Sequence, residues 1–124
     1  MSLRLSGQTL QKVIRQLIDD LFIRIMYSVY ILYSISTEQF YKGHTIDLPN
    51  RLKRHNAGFE NFTSKGIPWN LIWHISKPSK SEAYKLEIKL KNLTRKRLID
   101  FMLKYKEGIE SSDELDFIIK LSEC

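Results

Sequence analysis

Cysteine is nearly absent: the one copy, Cys124, is the last of 124 residues. No internal disulfide framework and no cysteine-based zinc site can be assembled from it, which fits a reducing compartment. Glycine and proline are scarce, at five and three residues, and no segment is low in complexity, so disorder is not the default reading. Long apolar runs are missing too. The longest stretches, at 21–25, itself broken by Arg24, and at 29–33, fall far short of the roughly 20 residues a membrane helix needs. Arg4, Lys12, Arg15, Asp19 and Asp20 interrupt any signal-peptide core. These absences predict a cytoplasmic, unexported protein with no membrane partner, and the length suits one compact domain.

What is abundant is positive charge, +6 in sum, and it is gathered in one place. Between residues 77 and 97 stand Lys77, Lys80, Lys85, Lys89, Lys91, Arg95, Lys96 and Arg97 against Glu82 and Glu87. After Lys106 the sign reverses, with Glu107, Glu110, Asp113, Glu114, Asp116 and Glu123 facing Lys120. A basic middle and an acidic end point to a polyanion as partner of the middle. The ordinary alternative is a solvated lysine-rich helix face.

Leu10, Val13, Ile14, Leu17 and Leu21 recur at helical spacing and predict an amphipathic helix over residues 8–24, whose apolar stripe needs a partner surface. Residues 27–33, dense in Tyr, Val, Ile and Leu, read as a strand buried on both sides. Residues 39–43 read as a second strand, forming a hairpin ended by Gly43. Thr45 or Asp47 caps a short basic helix from 48 to 55, with Pro49 in its first turn and Leu48 and Leu52 inward. A loop over 56–68 leads to a third strand over 69–75. Ser79 and Glu82 form a capping box opening a helix that runs to about 105, where Gly108 breaks the chain. Ser111 and Glu114 repeat the box before a last helix carrying Leu115, Ile118 and Ile119. The expected fold is α+β: a small three-stranded antiparallel sheet flanked by helices. Residues 1–25 are expected to be a helical extension, 26–105 the principal domain, and 106–124 an acidic C-terminal helix.

Arg51 and His55 lie one turn apart and share a helix face. A guanidinium is a planar permanent cation suited to phosphate, and an imidazole can take a proton near neutral pH. On a basic helix the same pair is often plain surface. Glu87, with Ala83 and Leu90 one turn away on either side, sits at the edge of an inward stripe. It can be an ion-pair partner of Lys91, or it can hold a hard divalent cation together with water. Tyr30 and Tyr41 fall in adjacent strands and can meet on one face, although strands also recruit tyrosine for packing alone.

The order of these parts, and their local words, resemble the GIY-YIG endonuclease superfamily, in particular its small stand-alone bacterial members and the catalytic domain of the UvrC excision nuclease. Ser28-Val29-Tyr30 resembles the GIY element and Tyr41-Lys42-Gly43 the YIG element. Arg51-Leu52-Lys53-Arg54-His55-Asn56 resembles the helix carrying Arg and His, and residues 81–87 the segment that brings the metal-binding glutamate. The likeness spans about residues 26–101. Ser28, Val29 and Lys42 depart from the family's words at non-catalytic positions, and on strand alternation Val29 and Lys42 face away from Tyr30 and Tyr41.

The resemblance implies hydrolysis of a DNA phosphodiester by water, with one divalent ion, Mg2+ or Mn2+, on Glu87 and no covalent intermediate. It implies that Arg51 binds the scissile phosphate and that Tyr30, as a phenolate favoured by nearby cations, deprotonates the water. His55 would relay the proton and Tyr41 orient the water or a phosphate oxygen. Lys42, Lys53, Arg54, Lys65 and Lys91 are expected to hold flanking phosphates, and Gly43 to be structural. Phe59, Phe62 and Trp69 can stack on an unpaired base or pack the loop. With no separate DNA reader in the chain, targeting by DNA structure or by a protein partner in repair or processing is expected of a monomer or weak dimer. The rivals are a module that binds nucleic acid or protein without cutting, and an interaction subunit built on the terminal helices.

Overall fold

The computed structural model describes residues 7–24 and 26–123. Residues 1–6, Ile25 and Cys124, and with them the sole cysteine and the start of the N-terminal segment, lie outside the described residues. Helix α1 spans Gly7–Arg24, strand β1 Tyr27–Ser34, strand β2 Gln39–Thr45, helix α2 Leu48–Asn56 and strand β3 Trp69–Lys77. Helices α3 (Lys80–Lys91), α4 (Arg95–Lys104) and α5 (Ser112–Ser122) complete the order. The sheet is antiparallel with strand order β2-β1-β3, the α+β arrangement expected from the sequence.

β1 lies between its two partners, and its residues from Val29 to Ser34 are all buried. One face of the sheet takes Val29, Ile31, Tyr33, Ile72 and Trp73. These meet Ala83 and Leu90 of α3, Leu98, Ile99 and Met102 of α4, and Ile118 of α5 in the main core. The opposite face holds a smaller cluster of Tyr30, Leu32 and Trp69, closed by Tyr41, Leu48, Leu52 and Leu71 under α2.

Strict alternation would send Ile72 and Trp73 to opposite faces. The register against β1 slips between Ile31 and Leu32, which pair with Trp73 and Leu71, so Ile72 is an extra residue. Such a bulge re-aims side chains, and here it turns two consecutive large residues into the same core. Trp73 is further held by its indole N–H, which donates to the Tyr105 carbonyl at 2.9 Å. Gly108 passes so close to that indole that a Cβ would lie 2.3 Å from Nε1.

Several local expectations hold. Asp47 caps α2 by accepting from the Asn50 amide, with Pro49 in the first turn, and Ser79 caps α3 by accepting from the Glu82 amide. Three expectations are corrected. The helix predicted to run unbroken to about residue 105 is two: α3 ends at the C-cap Asn92, and Thr94 accepts from the Arg97 amide to start α4. Gly43 does not end the hairpin, since β2 continues to Thr45 with Gly43 paired to Tyr30. The Ser111 side chain makes no capping bond to the backbone of α5, and its hydroxyl donates to the Glu114 carboxylate, while its carbonyl accepts from the Leu115 amide. The N-terminal helix forms as read, yet every residue from 7 to 21 is exposed, the apolar stripe included.

Candidate active site

β1 and β2 bring Tyr30 and Tyr41 to the α2 face. Leu32 pairs with Tyr41 and Tyr30 with Gly43, so the phenols are diagonal neighbours with ring centroids 6.2 Å apart. His55, from the last turn of α2, enters between them. Its ring stands edge-on to Tyr41 at 4.8 Å, and its Nε2 is hydrogen-bonded to the Tyr30 hydroxyl at 3.0 Å. Nδ1 of the same imidazole meets the Thr63 hydroxyl at 2.8 Å. His55 is 1 % exposed and Thr63 fully buried, so a chain of three polar groups runs through an otherwise apolar layer.

Burial decides the protonation of these groups. Desolvation pushes the Tyr30 phenol well above its ordinary value, and the neighbouring Tyr41 and the negative charges of Glu87 and Glu60 add to it. Arg51 alone opposes. Tyr41 is raised as well, again by burial first. The phenolate expected from nearby cations is therefore not the resting form of Tyr30, because desolvation outweighs Arg51. His55 is shifted below its ordinary value by burial, so the imidazole is neutral near pH 7 and retains a basic nitrogen.

Arg51 lies on α2 close enough for its charge to act on both phenols. Its guanidinium pairs with Glu60 at 3.6 Å, and the same carboxylate takes Arg54 at 3.3 Å. Glu87 is 9 % exposed and stands apart from the other four. Its Oε2 meets Nδ1 of His44 at 3.0 Å and its Oε1 meets Lys91 at 3.5 Å. His44 pairs with Val29 and so projects to the α3 face of β2. Four of the five candidate groups thus share one face. The fifth sits at the edge strand on the other side, coupled to both phenols through its charge and not through contact.

Phe62 is 87 % exposed, 6.1 Å from the Tyr41 ring. With Phe40, Tyr41, Lys42 and Lys91 it lines an open groove of about 450 Å³ along the edge of β2. Lys42 is partly buried there and its ammonium is shifted below its ordinary value by desolvation and by Lys91. Lys65 and Arg95 line an adjoining groove with Lys42 and Phe62, and Lys53 is exposed. Phe59 is exposed beneath Arg54. Trp69 is a packing residue: it is buried, and its indole donates to the Thr63 carbonyl at 2.7 Å.

A model of the GIY-YIG catalytic domain matches residues 26–106. The chain belongs to the GIY-YIG family. It is 37 % identical over 71 residues to the UPF0213 protein VNG_2274C of Halobacterium salinarum, over 56 % of this chain and 91 % of the relative. It is 34 % identical over 70 residues to the UPF0213 protein BH0048 of Halalkalibacterium halodurans, over 56 % of this chain and 73 % of that one. The solution NMR structure of the UPF0213 protein BH0048 from Bacillus halodurans is 31 % identical, covers 67 % of this chain and 86 % of its own, and superposes with a TM-score of 0.42.

The GIY-YIG domain is a nuclease domain, and the family's second word has a clear geometric use here. A Cβ on Gly43 would lie 2.6 Å from the Tyr30 hydroxyl and 2.7 Å from Cζ. Only glycine lets the first tyrosine lie flat across the second strand. Of the first two letters of the GIY word, Val29 lies in the core on the opposite face from the Tyr30 hydroxyl, while Ser28 alternates onto the Tyr30 face two residues before it.

Among the described residues no group of three or more His, Cys, Asp or Glu forms a chelate. The donor set around Glu87 is one hard carboxylate beside an imidazole and an ammonium. The carboxylate alone suits an ion which keeps most of its water and takes further oxygens from a phosphate, as Mg2+ and Mn2+ do, once the Lys91 ammonium gives up Oε1, and does not suit one that requires a protein cage.

Three residues of the site escaped the sequence reading. His44 carried a signal, as a histidine one position past Gly43 that alternation sends to the α3 face. Glu60 and Thr63 carried none, because they lie in an aperiodic loop whose path only the fold sets. No helix is long and apolar enough to cross a membrane among the described residues.

Proposed function

We propose that the protein is a metal-dependent endonuclease that hydrolyses a DNA phosphodiester bond with water, directed by DNA structure or by a protein partner in repair or processing. The observation that carries this is the buried Tyr30–His55 hydrogen bond of 3.0 Å, with the guanidinium of Arg51 on the same face and the carboxylate of Glu87 acting on both phenols through its charge from beyond the edge strand. In a nuclease domain such a pair has a use that packing does not require. The phenol can pass a proton to a neutral imidazole as it takes one from water.

Water gives a proton to the Tyr30 oxygen while the Tyr30 proton moves to Nε2 of His55, and the hydroxide oxygen forms a bond to phosphorus. The P–O bond to the leaving oxygen breaks, and that oxygen is protonated from solvent. The raised phenol pKa suits a group that donates and accepts in one event and never rests as phenolate. Arg51 binds a non-bridging phosphate oxygen, displacing Glu60, and strengthens its hold as negative charge develops. Tyr41 orients the water or a phosphate oxygen. Glu87, oriented by His44, would hold one Mg2+ or Mn2+, which supplies Lewis-acid stabilisation of charge on the phosphate and leaving oxygen when bound. Lys42, Lys53, Arg54, Lys65 and Lys91 hold flanking phosphates, giving affinity that falls with salt and reads no bases.

The test is a cleavage panel of flaps, forks, junctions and plain duplexes with magnesium or manganese. Wild type should cut at least one of them, and Tyr30→Phe and Glu87→Ala should each lose about 10² to 10⁴ of the rate. Binding without cleavage across the whole panel would sink the enzymatic reading in favour of a non-cutting module.

A further inference from the structure

The polar chain does not stop at the imidazole. Beyond Thr63 the backbone of Glu60 receives two bonds: its carbonyl accepts the Thr63 amide at 3.1 Å and lies 3.4 Å from the Thr63 hydroxyl. The peptide carbonyl can only accept, so its place at the end of the chain gives the whole sequence a direction. If the hydroxyl proton of Thr63 points to the Glu60 carbonyl, Thr63 Oγ1 is left to accept from Nδ1–H of His55. Nε2 is then the bare nitrogen, and it accepts from the Tyr30 hydroxyl. Every proton has an acceptor.

The reverse order fails at its far end. With the proton on Nε2, the imidazole donates to the Tyr30 oxygen, and the phenol's own proton has no protein acceptor among the described residues, so it must be given to the very water it is to deprotonate. Trp69 and Asn56 hold the loop that sets this up. The Trp69 indole donates to the Thr63 carbonyl, and Asn56 bonds both the amide and the carbonyl of Trp69, at 2.6 and 3.1 Å.

We infer that Thr63 is a positioning residue of the proposed nuclease reaction: its hydroxyl, aligned by the Glu60 carbonyl, fixes His55 as the Nδ1–H tautomer so that Nε2 can take the Tyr30 proton. This rests on the nuclease reading for its use but not for its structure. When Nε2 is protonated, Nδ1–H stays on Thr63 and the imidazolium keeps both its partners. Orientation of a base by a hydrogen bond to its second nitrogen is a general device, and a threonine performs it without introducing a second charge.

The experiment is nitrogen NMR of the full chain with labelled histidine, read without substrate, beside cleavage rates. Wild-type His55 should show Nδ1 protonated and Nε2 bare near neutral pH. Thr63→Val should move the population towards Nε2–H and lower kcat about 10- to 100-fold, while Thr63→Ser restores both. An Nε2–H tautomer in the wild type overturns the inference and leaves the nuclease reading standing. A Thr63→Val protein that shifts its tautomer yet cuts at the wild-type rate overturns the positioning role. Absence of any cleavage by a wild type with the Nδ1–H tautomer overturns the nuclease reading, and the catalytic use of Thr63 with it.

Discussion

The two faces of the sheet are built to different ends. Towards α3, α4 and α5 the contact is a dry interlock of Ile31, Ile72, Trp73, Leu90, Leu98, Met102 and Ile118, where volume and shape carry the energy and polar atoms stay at the margin. Towards α2 the apolar cluster is small, and space that could hold aliphatic side chains holds a phenol, an imidazole and a hydroxyl. Three buried polar groups contribute little net stability even when satisfied. They are the cost of holding a proton path in one geometry. The thick face stabilises the sheet so that the thin face can be spent on orientation.

Three changes break or sharpen that contrast. Trp73→Ala on the thick face should have the largest effect on stability, about 3–5 kcal/mol in denaturant unfolding, with the rate per folded molecule little altered. A loss below 1 kcal/mol would mean that the two faces share the load. Gly43→Ala comes next and should damage both properties, because its new methyl meets the Tyr30 ring. Overpacking of this kind costs about 1–3 kcal/mol, and cleavage should fall with it as Tyr30 leaves His55. Unchanged stability together with unchanged cleavage would show that the ring moves aside freely.

The smallest effect lies in pH. Burial holds His55 below its ordinary value of 6.5, so between the folded and unfolded values the unfolded chain binds the extra proton. Stability is then complete above about 6.5 and is lost as pH falls towards the folded value, with a slope under ~1.4 kcal/mol per pH unit for one group. Glu60, Arg51 and Arg54 act on the same imidazole, the first raising and the other two lowering it. Urea midpoints from pH 8 to 5 should show the slope in wild type and a flatter profile in His55→Gln; identical profiles would place the acid sensitivity elsewhere.

Much of the fold is written in neighbours along the chain. Tyr and Val density announced β1, Asp47 and Pro49 announced α2, and Ser79 with Glu82 announced α3, because caps and periods are set by residues within one turn or one pleat of each other. Arg51 and His55 share a face for the same reason. So does the Glu87–Lys91 pair, one turn apart and 3.5 Å between charges. The break before Thr94 was missed although its cap is local, because Leu93, Leu98 and Met102 continue an apolar pattern across it.

Composition and local spacing by themselves determined the α+β class, the order of elements and the residue types available for chemistry, since each depends on interactions a few residues long. Tertiary structure alone decided who faces whom. A one-residue slip in β3 put Ile72 and Trp73 in one core, a loop without period delivered Thr63 to His55 and Glu60 to Arg51, and strand alternation turned His44 to the α3 face, where it meets Glu87 of that helix. Those pairings depend on register and on loop closure, which couple residues far apart in the chain and leave no pattern in any short stretch of it.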